Sequence, residues 1–195
     1  MRTCVNALKR QALRLSVICA LAISQSVQAE VTLLHLADYQ SEQQLFIDAQ
    51  ARIDLPEPIV QAIQHEIALR FITEVALVRE DNIVFIPFVR EQVRIDYTTQ
   101  ISYSRFYQRY TLHNLRNHNR QQVSTLAQAL DLLGTLNGFQ LASLAQLHPG
   151  ARYHIRLRFR LEYWTLPAPM LTQALFDSRW RLSSPWFDLA LENPF

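Results

Sequence analysis

From Ala151 to Tyr163 apolar and polar side chains alternate: Tyr153, Ile155, Leu157, Phe159, Leu161 and Tyr163 fall on one side, and Arg152, His154, Arg156, Arg158, Arg160 and Glu162 on the other. A period of two places successive side chains on opposite faces of an extended chain, so the segment predicts a strand with one buried and one wet face. Such a strand belongs in an antiparallel sheet open to water on one side. Val31 to Leu36, Gln44 to Ile53 and Ala68 to Val78 are rich in apolar and β-branched residues and predict further strands. Ile83 to Phe88 continues the series, with Pro87 pointing to an edge or a strand end. Ile101 to Leu115, dense in Tyr103, Phe106, Tyr107 and Tyr110, predicts one long strand, followed by a turn at Asn117-His118-Asn119 and a short return through Gln122 and Val123. Two last strands are expected at Trp180 to Leu182 and Trp186 to Leu189, around a Ser184-Pro185 turn.

The hydrophobic period lengthens in two places. After Pro56 to Pro58, where proline suits an opening turn and Glu57 suits the positive helix end, Ile59, Ile63 and Ile67 form one helical face. After Ser124 or Thr125, Leu126, Leu130 and Leu133 form another, with Gln128 placed as a capping-box partner of Thr125 and Gly134 as the stop. A third short helix is expected from Ala168 to Phe176. Many antiparallel strands with two or three short helices in their connections predict an α+β domain, mainly antiparallel β and sandwich-like.

The start of the chain changes the picture of charge and compartment. Arg2, Lys9, Arg10 and Arg14 precede the apolar run Leu15 to Ile23, and Val27-Gln28-Ala29 supplies the cleavage pattern of an export signal. Residues 1–29 therefore read as a signal peptide and 30–195 as a single globular domain in the bacterial periplasm. The run is too short to span a bilayer, which takes about 20 apolar residues, and no later run approaches that length. Both cysteines, Cys4 and Cys19, lie in the leader, so the mature chain is cysteine-free. Without the four leader cations, 15 of the 19 basic residues remain against 17 acidic ones, and the formal charge moves from +2 to −2. The basic character of the full chain is thus no nucleic-acid footprint. With only 3 glycines in the chain, phosphate-cradling glycine loops are excluded.

Candidate chemistry is sparse. Ser183 and Ser184 lack a GxSxG elbow, and Asp177 and Asp188 cannot be paired in space from sequence, so no catalytic residue is assigned. His113, His118, His148 and His154 show no metal-ligand spacing, so no metal and no cofactor is expected. Trp164, Trp180 and Trp186 read as core residues or as a stacking platform. The sheet edge near Ile83 and Pro87 could accept a partner strand.

The arginine face, Arg152, Arg156, Arg158 and Arg160, is the candidate anion-contact surface, about 27 Å long at a rise of roughly 3.4 Å per residue. Two readings stand for it. Acidic residues on neighbouring strands, such as Glu74, Glu91 or Asp96, pair with it, or it meets an anionic envelope ligand or a protein partner. The functional expectation is a non-enzymatic binding or adaptor module, with a hydrolase or transferase of unrecognised type as the alternative.

Short patterns add a family resemblance. Leu55-Pro56 through Ala62-Ile63 is followed by Ile67-Ala68-Leu69-Arg70-Phe71 and Glu74. Ser102-Tyr103-Ser104 runs through Tyr110, with the Asn114 to Asn119 loop and the helix of Leu126, Ala129 and Leu130 after it. The most specific are Leu147-His148-Pro149-Gly150-Ala151-Arg152-Tyr153, Leu166-Pro167 and Trp180-Arg181-Leu182-Ser183-Ser184-Pro185-Trp186-Phe187. In these the chain, from about Leu55 to Leu189, resembles the proteobacterial family called domain of unknown function 4390. Family members carry a tryptophan-rich stretch where this chain has Ile83-Val84-Phe85-Ile86-Pro87-Phe88. The resemblance implies an exported, single-domain, soluble protein and brings no catalytic residue with it.

Overall fold

The computed structural model describes residues 30–83 and 86–191, the side chains of 82–87 excepted. The expected signal peptide, residues 1–29, lies outside the described residues. Strand β1 (Glu30–Ser41) reverses at Glu42 and Gln43, both at positive φ, into β2 (Gln44–Asp54). Then come α1 (Glu57–Gln64), β3 (Leu69–Ile83), β4 (Ile86–Ser104), β5 (Arg109–Asn114), β6 (Arg120–Val123) and α2 (Leu126–Gly134). β7 (Thr135–Ser143), β8 (Tyr153–Leu161), α3 (Ala168–Phe176) and β9 (Phe187–Ala190) complete the order. The strands form a three-stranded sheet, β1-β2-β7, and a six-stranded sheet, β6-β5-β4-β3-β8-β9, with antiparallel pairing throughout both. The domain is α+β, mostly antiparallel β and sandwich-like, as its alternating pattern predicts.

Alternation decides which faces meet. On β2, Leu45, Ile47, Ala49, Ala51 and Ile53 are buried; on β8, Tyr153, Ile155, Leu157, Phe159 and Leu161 are, and both sets belong to one core cluster with Phe71, Val75 and Leu77 of β3. Each large aliphatic or aromatic side chain moved from water into this layer contributes roughly 1.5–3 kcal/mol before the entropy of ordering it is set against the gain. Along one side the sandwich is drawn together by Tyr97 of β4 and Phe139 of β7, whose rings stack at 5.8 Å. The helices add to the same core. α1 buries Ile59, Ala62 and Ile63, with Pro56 at its N-cap, while α2 buries Ala129, Leu133 and Gly134. The capping box expected at α2 is present: Thr125 Oγ1 accepts from Gln128 N at 3.2 Å, and Gln128 Oε1 accepts from Thr125 N at 3.3 Å. Among the described residues no helix is long and apolar enough to cross a membrane.

The structure corrects four local readings. Ile101 to Leu115 is not one strand, because the chain reverses at 105–108, with Gln108 at φ 50, and Tyr103 pairs with Tyr110 across the hairpin. Nothing in Arg105-Phe106-Tyr107-Gln108 carries glycine or proline, so aromatic density masked the turn. Ile83 to Phe88 is likewise no single strand, because Ile83 closes β3 and Ile86 opens β4, and the two pair with each other. Among the described residues Pro87 lies where β4 pairs with β3 alone, since β5 pairs with Thr99 to Ser104, so its missing N–H costs no ladder bond on the open side. Trp180 to Leu182 is a 3-10 turn and its exit rather than a strand, with one isolated bridge from Ser183 to Arg160. β7, finally, had no counterpart in the sequence reading.

Gly134 ends α2 for a reason other than conformational freedom. An ideal Cβ there would sit 2.1 Å from the carbonyl oxygen of Ala51, so the residue lets the helix end lie directly on the β2 backbone.

Candidate functional site

The outer face of the six-stranded sheet is built by the same period that builds the core. On β3 the outward positions are Ile72, Glu74, Ala76 and Val78, and register sets Glu74 between Asp96 of β4 and Arg158 of β8. A carboxylate in the third strand of a six-stranded sheet has little water available, and Glu74 is only 1% exposed. Guanidinium groups replace the water. Arg94 reaches diagonally from its place opposite Ala76 to donate to Glu74 Oε1 at 2.6 Å, Arg158 donates through Nε to Oε2, and Arg160 Nε lies 3.4 Å from Oε2. Burial pushes the Glu74 carboxyl up, but the hydrogen bond from Arg158 and the charges of Arg158, Arg160 and Arg94 outweigh it, leaving the group below its ordinary value.

The cluster extends along both neighbouring strands. Arg94 also binds Asp96 at 3.2 Å and Glu91 at 3.3 Å. Arg156 donates to Asp188 Oδ2 at 2.8 Å, His154 bridges Asp188 at 2.7 Å and Glu80 at 2.6 Å, and Arg152 meets Glu80 at 3.3 Å. Burial raises the Asp188 carboxyl, and hydrogen bonds from Arg156 and His154 more than reverse that, so it too ionises below its usual value. Trp186 covers the centre: the Arg158 Cζ stands 4.3 Å from its ring centroid and the Arg94 Cζ 5.8 Å. A cation held over an indole face in this way gains about 0.5–2 kcal/mol according to its desolvation.

All four candidate arginines thus share one face, each beside a carboxylate. Of the acids read from sequence as their partners, Glu74 takes Arg158 and Arg160, whereas Glu91 and Asp96 take Arg94. Sequence reading missed Arg94, Glu80, Asp188 in this role, and Trp186 as the cover. The alternation Val93-Arg94-Ile95-Asp96-Tyr97 carries a strand signal that would have placed the first; the others come from contacts 74 and 32 residues apart in the chain, for which no local signal exists. The charges nearly balance across the face, yet around Glu74 three arginines converge on one buried carboxylate.

Other candidate side chains have structural tasks. Ser184 Oγ accepts from Phe159 N at 3.1 Å and donates to the Pro185 carbonyl at 2.8 Å. Asp177 is held by Arg179 at 2.7 Å, and Asp188 by Arg156 and His154, so each carboxylate is engaged in its own ion pair. The rings of His113 and His118 lie 6.3 Å apart, and His148 Nδ1 stands 3.1 Å from Arg79. Among the described residues no group of three His, Cys, Asp or Glu side chains has the geometry of a metal site. Trp180 is core, Trp164 is exposed beside Tyr163, and Trp186 serves the arginine cluster.

Compared with known proteins, residues 27–190 match the family model described as Domain of unknown function (DUF4390). No curated protein and no solved structure matches the chain.

Proposed function

The chain belongs to the DUF4390 family, and from that premise we propose that it is an exported, non-enzymatic binding module of the bacterial periplasm whose arginine-bearing sheet face contacts an anionic envelope component or a protein partner. Export is supported by the basic, apolar and small-residue succession of the first 29 residues and by the absence of cysteine after Cys19. Contact through the sheet face is supported above all by the gathering of Arg94, Arg158 and Arg160 round the buried carboxylate of Glu74, with Arg94 shared further with Glu91 and Asp96 and the side chains of Arg94 and Arg160 each still 36% exposed. A binding rather than a catalytic task is supported by the engagement of Ser184, Asp177 and Asp188 in structural bonds.

Two measurements test this reading. Mass spectrometry of the protein from a periplasmic extract should give a chain beginning at Glu30; an intact Met1 in the cytosol would overturn export. For the face, Arg152→Glu with Arg160→Gln spares the Arg158 bond to Glu74 and should weaken calorimetric binding to lipopolysaccharide or abolish envelope cross-links made from that face. Unchanged binding and unchanged cross-links would remove the face from the proposal.

A further inference from the structure

The sheet has a second distinctive region, at the end where β3 begins and β4 and β8 finish. Register places Leu69 opposite Ile101 and Phe71 opposite Leu161, so the β4–β5 turn, the lead into β3 and the segment after β8 stand in a row across that end. Neighbouring strands are about 4.8 Å apart, which sets the turn and the segment after β8 roughly 10 Å from each other. Arg105 ties the turn to the end of α1, donating from its backbone N–H to Glu66 at 2.9 Å and from Nε to the Gln64 carbonyl at 3.3 Å.

Large aromatic side chains stand out of this end into solvent. Phe106 is 86% exposed and Tyr107 72%, packed edge to face at 4.9 Å; Trp164 is 61% exposed, beside Tyr163 at 4.5 Å. Phe176, at the last turn of α3, is 87% exposed. An apolar side chain that the fold leaves in water so completely, next to others like it, marks a contact surface. Cations surround them. Among the described residues Arg70, Arg105, Arg109 and Arg181 have no carboxylate within ion-pair distance, and Arg181 instead donates to the Leu175 carbonyl at 3.0 Å, beside Phe176. The acids nearby are Glu66, which accepts from the Arg105 backbone, Glu162, and Asp177, which Arg179 holds at 2.7 Å. This differs from the sheet face, where every candidate arginine has an acidic partner.

We infer that this end of the molecule docks on an anionic lipid bilayer surface, with Phe106, Tyr107 and Trp164 entering the headgroup region and the unpaired arginines meeting lipid phosphates. The chemistry favours that occupant. Tyrosine and tryptophan join an apolar body to a polar tip that suits the wet boundary of a bilayer, and the combination of apolar insertion with unbalanced positive charge is what peripheral membrane binding uses. The inference does not use Arg152, Arg156, Arg158 or Arg160, although Arg70 lies on their side of the sheet.

The test is sedimentation of the protein, purified from envelope extract, with vesicles of phosphatidylglycerol and phosphatidylethanolamine, against vesicles of phosphatidylcholine alone. Binding should appear with the anionic vesicles and weaken as salt rises. Phe106→Ser with Tyr107→Ser should lower it at least tenfold, and Trp164→Ser likewise, with unchanged thermal melts because these side chains are in water. Brominated acyl chains should quench tryptophan emission in the original protein and not in Trp164→Phe, where Trp180 and Trp186 remain. The Phe106→Ser with Tyr107→Ser and Trp164→Ser variants leave Arg152, Arg156, Arg158 and Arg160 in place, so their outcome is read separately from that of the sheet face. Absence of binding at low salt, binding indifferent to the aromatic substitutions, or an aromatic-dependent complex with a protein in place of lipid would each overturn the inference.

Discussion

Glu74 takes its character from position more than from type: the strand buries it on the side that faces water, and three guanidinium groups make ionisation there favourable. Glu74→Gln removes the charge while keeping the shape, leaving Arg158 and Arg160 without their acid. Breaking a buried pair costs about 3–5 kcal/mol, and because Arg94 and Arg160 reach solvent the expected loss here is about 2–4 kcal/mol. Its dependence on pH has a definite sign. The folded carboxyl ionises below its ordinary 4.5, so as pH falls the unfolded chain takes up the proton first. The stabilisation is complete above that value and is lost as pH drops through the folded one. Melting curves of the original protein and Glu74→Gln should therefore be far apart at pH 7 and converge as acid protonates the folded carboxyl, whereas a gap that stays constant with falling pH until both proteins unfold would assign the loss to packing. Asp188, also lowered, is present in both proteins and drops out of the comparison.

Elements depend on such single positions where they meet. Gly134→Ala places a methyl group against the Ala51 carbonyl, so α2 must shift away from β2; overpacking of this kind costs about 1–3 kcal/mol, read as a lower urea midpoint. Thr125→Ala, at the other end of the same helix, removes the cap and should cost about 1 kcal/mol. Equal midpoints for Gly134→Ala and the original would mean that the close approach is relaxed at no cost. These elements also explain what was legible in sequence. β8 was, because its two faces meet opposite environments over its whole length, and α2 was, because Thr125, Gln128 and its leucines agree. β7 was not: Gly138 at φ 56 and the register shifts of its pairing with β2 break its alternation. Most of β4 was not, since Arg90-Glu91-Gln92 interrupts it and only Val93 to Tyr97 alternates ahead of the stretch that β5 pairs. The arginine face was legible as a stripe, but Glu80 and Asp188 reach it through pairings between distant segments.

At the scale of the whole molecule the two sheets have no core of their own. Leu45 and Ile47 from the smaller sheet belong to the same buried cluster as Ile155, Leu157 and Phe159 from the larger, with Ile59 of α1 and Leu133 of α2 joining them. Separating the sheets would expose both inner faces together, at a cost no single sheet could offset by its own hydrogen bonds. The domain is accordingly expected to unfold as one cooperative unit, as domains near this size commonly do. The tryptophans provide a test. Trp180 is core and Trp186 lies over the larger sheet's arginines, with Trp164 beyond the end of β8, so none belongs to β1, β2 or β7. Tryptophan emission therefore follows the larger sheet, while far-ultraviolet circular dichroism follows both. In urea the two signals should trace one transition with a common midpoint; a dichroism change that precedes the emission change would mean that β1, β2 and β7 come away first and that the inner faces are less interdependent than their shared core implies.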